Sequence, residues 1–457
     1  MDKKKFEQYK KMLRFFATLL IVICVTTIFI FIWQKNYNEG IVFPFYYKGY
    51  WLVGAFYLFF FVMFLYIYGG MSYGYLKNTS IIFSQILALV CANVAIYLET
   101  VLLSARFVEI ISMIEMTIMQ GIIISIYSIC MDGLFKKLFP PHKVTVLYQE
   151  YDPSEMLRKV KARRDRYRIK EVVNVDMEWD KLMTVIDNSE AIMVYDIHSE
   201  LRNKIVKYCY GKSIRIYVTP KISDVLIRSS ENIHLFDTPL LLLRNNGFSF
   251  EEKVVKRFMD IVISIFVIVI TLPLMLLTAI AIKIYDGGPV LFKQKRCTLG
   301  GTVFEIHKFR SMIVDAEKEG ISVPASEKDS RITPVGNIIR KTRLDELPQF
   351  FDILFGNMSL VGPRPERVEH VERYTKDIPE FGYRLKVKGG LTGYAQIYGK
   401  YNTTAYDKLK LDLMYIQNYS LLLDLKLILM TVKIIFLKES TEGFDEKQIS
   451  EIQSKEK

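Results

Sequence analysis

Apolar residues in this chain gather in long uninterrupted runs near one end and in short, regularly broken runs elsewhere. Three runs before Pro140 carry no charge at all: Phe15 to Gln34, Gly49 to Leu76 and Asn78 to Leu98. Each is long enough to cross the hydrocarbon of a bilayer as a helix. A fourth, Phe107 to Met131, contains Glu109 and Glu115; these are expected as bundle-facing or interfacial carboxylates rather than an ion path. Basic residues collect before the first run (Lys3, Lys4, Lys5, Lys10, Lys11, Arg14), at Lys77, and at Lys136, Lys137 and Lys143. The positive-inside rule then places the N-terminus and everything after Lys136 on the cytoplasmic face. Residues 1–139 are therefore predicted as a four-helix transmembrane bundle. The first run is too long, and lacks the small-residue site, to be a cleaved signal peptide.

From 140 to 245 the runs shorten. VTVLY, AIMVYD and IRIYVTP read as buried parallel strands, separated by helical segments near Glu155 and Leu201. This predicts a small Rossmann-like α/β domain. A dinucleotide site would need glycines after the first strand, where the chain reads Tyr148-Gln149-Glu150-Tyr151-Asp152-Pro153. A glycine-free turn keeps the backbone away from a pyrophosphate, so no cofactor is assigned and a structural or regulatory role is expected.

Ile261 to Ile282, within 250–285, is again free of charge, but both flanks are basic: Lys253, Lys256 and Arg257 before it, Lys283, Lys293, Lys295 and Arg296 after it. A crossing helix should show asymmetry. Pro273, near the middle, removes a backbone donor. Together these predict a re-entrant helix that breaks at Pro273 and returns to the side it entered from. Residues 286–438 read as a basic soluble-like domain whose LLLDLKLILMTVKIIF segment suits a helix on the membrane surface. Residues 439–457 are polar and acidic, and are expected to be a disordered tail.

The net charge of +12, from 61 basic against 49 acidic residues, fits nucleic acid or an anionic lipid surface. No zinc-finger spacing or RNP-like pattern accompanies it, so membrane lipids are the expected partner and no nucleic acid is. Cys24, Cys91, Cys130, Cys209 and Cys297 form no CxxC. They are read as free thiols in a reducing compartment, without a metal cluster.

The candidate chemistry lies in Arg340-Lys-Thr-Arg-Leu-Asp-Glu-Leu-Pro-Gln-Phe-Phe-Asp-Ile-Leu-Phe-Gly356. Leu347, Phe350, Phe351 and Leu354 have helical spacing and predict a buried stripe. Pro348 suits the start of that helix and Gly356 its end. Asp345 and Glu346 then stand at its N-terminus, where free N–H groups favour negative charge. Capping alone would account for an arbitrary Asp-Glu pair. Here Arg340 and Arg343 stand close by, His307-Lys308-Phe309-Arg310 supplies further cations, and Gly362-Pro363-Arg364-Pro365 holds one arginine in a rigid turn. Carboxylates ringed by guanidiniums beside a membrane anchor suit phosphoryl chemistry with magnesium.

The run LDELPQFFDILFGNMSLVGPRPE, with HKFRSM upstream and KGGLTGYAQIYGK downstream, closely resembles the bacterial polyprenyl-phosphate phosphoglycosyl transferases, the monotopic sugar transferase family. The resemblance covers roughly Lys253 to Leu437, and the N-terminal half is similar to the family's large form in architecture. It implies a mainly α-helical α/β monotopic catalytic domain at the cytoplasmic face of the bacterial inner membrane. It further implies that Asp345 is the nucleophile, that a UDP-sugar loses UMP to give a phosphosugar-aspartyl intermediate, and that undecaprenyl phosphate accepts the sugar phosphate. Glu346 matches the magnesium-binding residue. Arg364 and Arg340 match basic positions attributed to phosphate or lipid-head binding, and Pro273 matches the break in the membrane anchor. Lys308 and Arg310 are further candidates for substrate or phosphate, and Gln396 and Lys400 are candidate site members for which a structural turn is the alternative. UDP-glucose and UDP-galactose are the expected donors, downstream glycosyltransferases the expected functional partners, and a homo-oligomer is allowed for.

The chain departs from the family where Leu272 replaces the usual serine before the proline, where Tyr394 replaces tryptophan, and where Lys400 replaces arginine. Two other classes compete. A membrane scaffold with a sensing α/β domain would make the Asp-Glu pair structural. A glycosyl transferase forming sugar–sugar bonds would show a DxD motif before the anchor, and none is found.

Overall fold

The structure, a computed structural model, describes residues 7–46, 49–243, 247–314, 316, 329–399 and 403–435. The expected tail at 439–457 lies outside them. The chain divides into two units, one ending at Thr219 and the other beginning at Pro220.

The first unit opens with helices α1 (Lys10–Asn36), α2 (Gly49–Tyr68), α3 (Asn78–Ser104) and α4 (Ile111–Leu138). All four are long and apolar enough to cross a membrane. The second run was expected to reach Leu76, but α2 stops where Gly69 takes a φ of 77°, a left-handed conformation that glycine adopts without strain. Each helix packs on the next, and the first on the fourth. Buried amides join them: Gln120 donates to the Val25 carbonyl (3.0 Å) and to the Tyr57 hydroxyl (3.2 Å), and Asn93 donates to Gln120 (3.1 Å). Such bonds satisfy polar groups where water is scarce. Glu115 is exposed near the start of α4 and so does not face the interior of the four helices.

The α/β part follows as β1 (His142–Tyr148), α5 (Ser154–Lys161), β2 (Tyr167–Asn174), α6 (Trp179–Asp187), β3 (Ala191–Tyr195), α7 (Ser199–Gly211) and β4 (Arg215–Val218). The sheet is parallel in the order β2-β1-β3-β4. Successive strand residues serve opposite faces: Leu147, Ile192 and Val194 meet Leu182 and Ile205, while Val144, Val146 and Met193 meet Val160. Three strands stand where the sequence pattern put them. β2 was missed because Arg168, Lys170 and Glu171 interrupt its apolar residues, as suits an edge strand.

The second unit begins with α8 (Ile222–Arg228) and an exposed hairpin of β5 (Glu231–Leu235) and β6 (Thr238–Leu242). The boundary expected at 245 therefore falls at 219, since Ile222 and Val225 belong to the second core. Next come α9 (Phe250–Asp286), the hairpin β7 (Leu291–Cys297) and β8 (Val303–Phe309), α10 (Pro334–Lys341), α11 (Gln349–Phe355), β9 (Ser359–Val361), α12 (Val368–Asp377), β10 (Gly390–Thr392), α13 (Tyr394–Tyr398), α14 (Ala405–Gln417) and α15 (Leu421–Ile435). Leu360, Phe381, Leu409, Leu413 and Leu427 share one core.

Helix α9 is the fifth element long and apolar enough to cross a membrane. It starts at a capping box, in which Ser249 accepts from the Glu252 amide and Glu252 from the Ser249 amide (2.7 Å). The helix does not break at Pro273; it runs on through the proline to Gly287. Thr271, one turn after Val267, bonds back to that residue's carbonyl (2.8 Å), a contact that eases bending.

The basic residues before the apolar stretch were read as a membrane flank, but two of them are structural. Lys256 pairs with the buried Asp424 (2.6 Å), and Arg257 caps the Ile353 and Leu354 carbonyls, each at 2.6 Å. Deleting one partner of such a buried pair costs about 3–5 kcal/mol. Asp260 accepts from the Leu360 amide (2.9 Å) and from Ser359 (3.1 Å). Toward the other end of the same helix, Met275 and Ile282 pack with Phe309 and Ile339, and Asp286 pairs with Arg310. Both ends of α9 thus dock on elements of the second unit.

Candidate active site

The two acidic residues are not in the first turn of α11 as expected. They occupy a separate 3₁₀ turn, Leu344–Glu346, and Pro348 caps the helix that follows. Arg343 opens that turn with a φ of 58°, a left-handed conformation that costs a non-glycine residue about 1 kcal/mol or more. The bend turns the carboxylates toward the β7–β8 hairpin. The predicted stripe is only half-buried; Gln349, Asp352 and Ile353 are the buried residues of α11. Leu347 and Phe351 instead join the cluster on the second half of α9.

Asp352 explains how β8 meets this turn. Its Oδ2 accepts from the His307 amide (2.9 Å) and its Oδ1 lies 2.7 Å from His307 Nδ1. With His307 fixed, the next side chain along the strand faces the other way. Lys308 Nζ thereby comes within 3.3 Å of Glu346 Oε1. Arg364 Nη2 meets the same oxygen at 2.7 Å, and Arg343 Nη1 stands at 3.9 Å. Burial alone would raise the Glu346 pKa, but Arg364, Lys308 and Arg343 outweigh it and hold this carboxyl well below the usual range. Asp345 moves the other way: burial first, then the neighbouring Glu346 charge, raise its carboxyl, against the pull of Lys308, Arg343 and Arg340. Its Oδ1 is buried without a hydrogen-bond partner. The two adjacent carboxyls are thus pushed apart, Glu346 below the usual carboxylate range and Asp345 above it, a separation typical of reactive pairs.

Arg364 is presented by the turn that follows β9. This short strand pairs in parallel with β10, with Ser359 opposite Gly390 and Val361 opposite Thr392. A side chain at Gly390 would strike the Gly362 backbone at 2.1 Å, so glycine is required for the approach. Gln396 lies on α13, beyond Gly393, and both polar atoms of its amide are buried without partners.

Of the predicted site residues, Asp345, Glu346, Lys308 and Arg364 converge directly. Arg340, in the last turn of α10, acts on Asp345 through charge. Arg310 does not join them: it lies one residue past the end of β8 and is buried against Asp286, which ties it to the end of α9 instead. Pro273 lies within α9, and Lys400 is outside the described residues. The structure adds Arg343, whose proximity in sequence was visible but whose left-handed turn was not. Among the described residues no group of three His, Cys, Asp or Glu is placed to hold a metal by itself.

The chain is similar to known proteins over part of its length. The bacterial sugar transferase family matches residues 251–438. A UDP-N-acetylgalactosamine-undecaprenyl-phosphate N-acetylgalactosaminephosphotransferase of Aeromonas hydrophila is 40% identical over 231 residues, 50% of this chain and 53% of the relative. A UDP-glucose:undecaprenyl-phosphate glucose-1-phosphate transferase of Klebsiella pneumoniae is 42% identical over 266 residues, 57% of this chain and 55% of the relative. The chain thus spans about half the length of these two. A protein of the latter name from Caulobacter vibrioides is 42% identical over 183 residues, 39% of this chain and 68% of the relative. On these matches and on the three motifs that build the site, the chain belongs to the bacterial sugar transferase family.

Proposed function

We propose that the protein transfers a hexose 1-phosphate from a UDP-sugar to undecaprenyl phosphate, and so initiates the repeat unit of an exopolysaccharide, capsule or O-antigen. The observation that carries this reading is the Glu346 carboxylate shared by Arg364, Lys308 and Arg343, beside an Asp345 oxygen without a partner. An Asp345 oxygen attacks the sugar-bearing phosphorus, the bond to the bridging oxygen breaks, and UMP leaves with that electron pair. An oxygen of undecaprenyl phosphate then attacks the same phosphorus and releases the Asp345 carboxylate. Splitting one displacement into two is what a nucleophilic carboxylate contributes. Lys308 and Arg364 offset the charge that grows on the leaving oxygen. The unpaired Gln396 amide is held for a polar group of the donor.

Magnesium fits this donor set. Glu346 stays ionised next to Asp345, and magnesium commonly takes one or two carboxylates together with substrate phosphates and water. Glu346 would hold it, and the ion when bound neutralises diphosphate charge.

The first four helices form the transmembrane bundle in this reading, and α9 is re-entrant by bending near Pro273 while staying helical, with the catalytic domain on the cytoplasmic side of the inner membrane. What supports re-entry is that Arg257 and Asp286, near opposite ends of α9, both bind elements of one domain. A helix crossing about 30 Å of hydrocarbon would carry its far end away from that domain. Lys293, exposed on β7, gives a direct check. A cysteine there, in a background without the five native ones, should resist impermeant maleimide in intact cells and react after permeabilisation. Reaction in intact cells would rule out re-entry.

The relatives' names differ in their sugar, glucose in one and N-acetylgalactosamine in another. UDP-glucose or UDP-galactose is proposed here. Purified protein with magnesium, undecaprenyl phosphate and a panel of UDP-sugars should release UMP with one of these two in preference. UMP release from none of the panel would overturn the proposed activity.

A further inference from the structure

Arg364 reaches Glu346 from a turn whose backbone is held in an unusual way. Pro363 and Pro365 fix φ on both sides of it and remove two amide donors. Four consecutive carbonyls are then met by donors from three other segments. The Pro363 carbonyl accepts from the Gly390 amide (2.9 Å) and the Glu366 carbonyl from the Cys297 amide (3.0 Å). Between them, the Arg364 carbonyl accepts from Arg384 Nη2 (2.8 Å) and the Pro365 carbonyl from Arg296 Nη1 (3.1 Å). Arg384 lies in the 3₁₀ segment Pro379–Lys386, is 2% exposed, and is itself fixed by Asp412 (2.9 Å from Nε). Arg296 is steadied by Gln294 (2.5 Å).

Neither guanidinium contacts Asp345 or Glu346, and Arg384 is too deeply buried to meet a substrate. A buried arginine bound to a carbonyl is costly in desolvation unless its geometry does something a neutral side chain could not. We propose that Arg384 and Arg296 are positioning residues: a two-arginine clamp on successive carbonyls that sets the Arg364 guanidinium on Glu346 and so aligns it for the diphosphate. The clamp rests on the activity proposed above.

The test is a double-mutant cycle between each clamp residue and Arg364. Arg384→Lys and Arg296→Lys keep a cation and a donor but lose the fork. Each should lower kcat by about 10–100-fold, the scale expected when a catalytic group is misplaced by an ångström, with donor KM within about twofold. Added to Arg364→Lys, either should cost less than about twofold more, since the misplaced group is already impaired. The kcat-against-KM split separates this from a loosened fold, which would raise donor KM as well. Should Arg384→Lys not fold, Arg296→Lys, which releases one carbonyl, carries the cycle. Melting temperatures of the same proteins give a readout independent of turnover, where the clamp predicts non-additive shifts. A wild type that releases no UMP would defeat the activity and leave the melting cycle to judge the clamp. Additive costs in every cycle measured would overturn the clamp while leaving the activity intact.

Discussion

Replacing Asp345 with asparagine should reduce UMP release by about 10³-fold or more, as loss of a nucleophile does, without lowering the melting temperature. The two halves of this result follow from one feature. The carboxyl is raised by burial and by Glu346, so its anion is tolerated by the fold rather than favoured. A carboxyl whose pKa is raised on folding contributes stability below its unfolded pKa and loses that contribution as pH rises through the folded value. At neutral pH the ionised group therefore opposes folding, and the neutral amide of similar shape relieves it. The variant should melt at or above the wild-type temperature while losing turnover, the pattern expected of a reactive group held against the preference of its surroundings. Incubating wild type with UDP-sugar alone and digesting it should add a hexose phosphate to the peptide that carries residue 345. An Asp345→Asn variant that still turns over near the wild-type rate would remove Asp345 from the mechanism.

Much of this arrangement was readable in the residues, and the unread parts share a cause. Runs such as VTVLY and AIMVYD announce strands because nearly all their residues are apolar and most are buried, whereas β2 hides behind Arg168, Lys170 and Glu171 on a sheet edge. The candidate carboxylates were found by motif, yet their turn was misplaced: nothing local says that Arg343 will adopt a left-handed conformation and detach the turn from α11. Lys256 and Arg257 looked like flanking charges because their partners, Asp424 and the carbonyls of α11, lie far downstream. Arg310 failed for the same reason, since its neighbour Asp286 decides where it points. Periodicity encodes which face is buried; it does not encode which distant charge is met there.

Arg364→Ala should be the second most damaging change, lowering kcat/KM by about 10²–10³-fold near neutral pH, the range for removing one fixed donor from a developing charge. The loss has two parts that pH separates. In the intact site Arg364, with Lys308 and Arg343, overcomes burial and keeps Glu346 ionised far into the acid range. A carboxyl depressed on folding stays charged above its folded pKa, so activity that needs its anion fades only when pH falls through that low value. Without Arg364 burial is less opposed, the Glu346 pKa rises, and the acid limb of kcat/KM should move upward. At higher pH, where Glu346 ionises again, the remaining deficit measures what the guanidinium does for the substrate directly. Arg364→Lys should restore much of the acid limb, because charge suffices to hold Glu346, but little of the rate, because an ammonium cannot bind a phosphate as a fork. If Arg364→Ala keeps the wild-type acid limb, then Arg364 does not govern Glu346, and the shared oxygen at the centre of this site loses its chemical meaning.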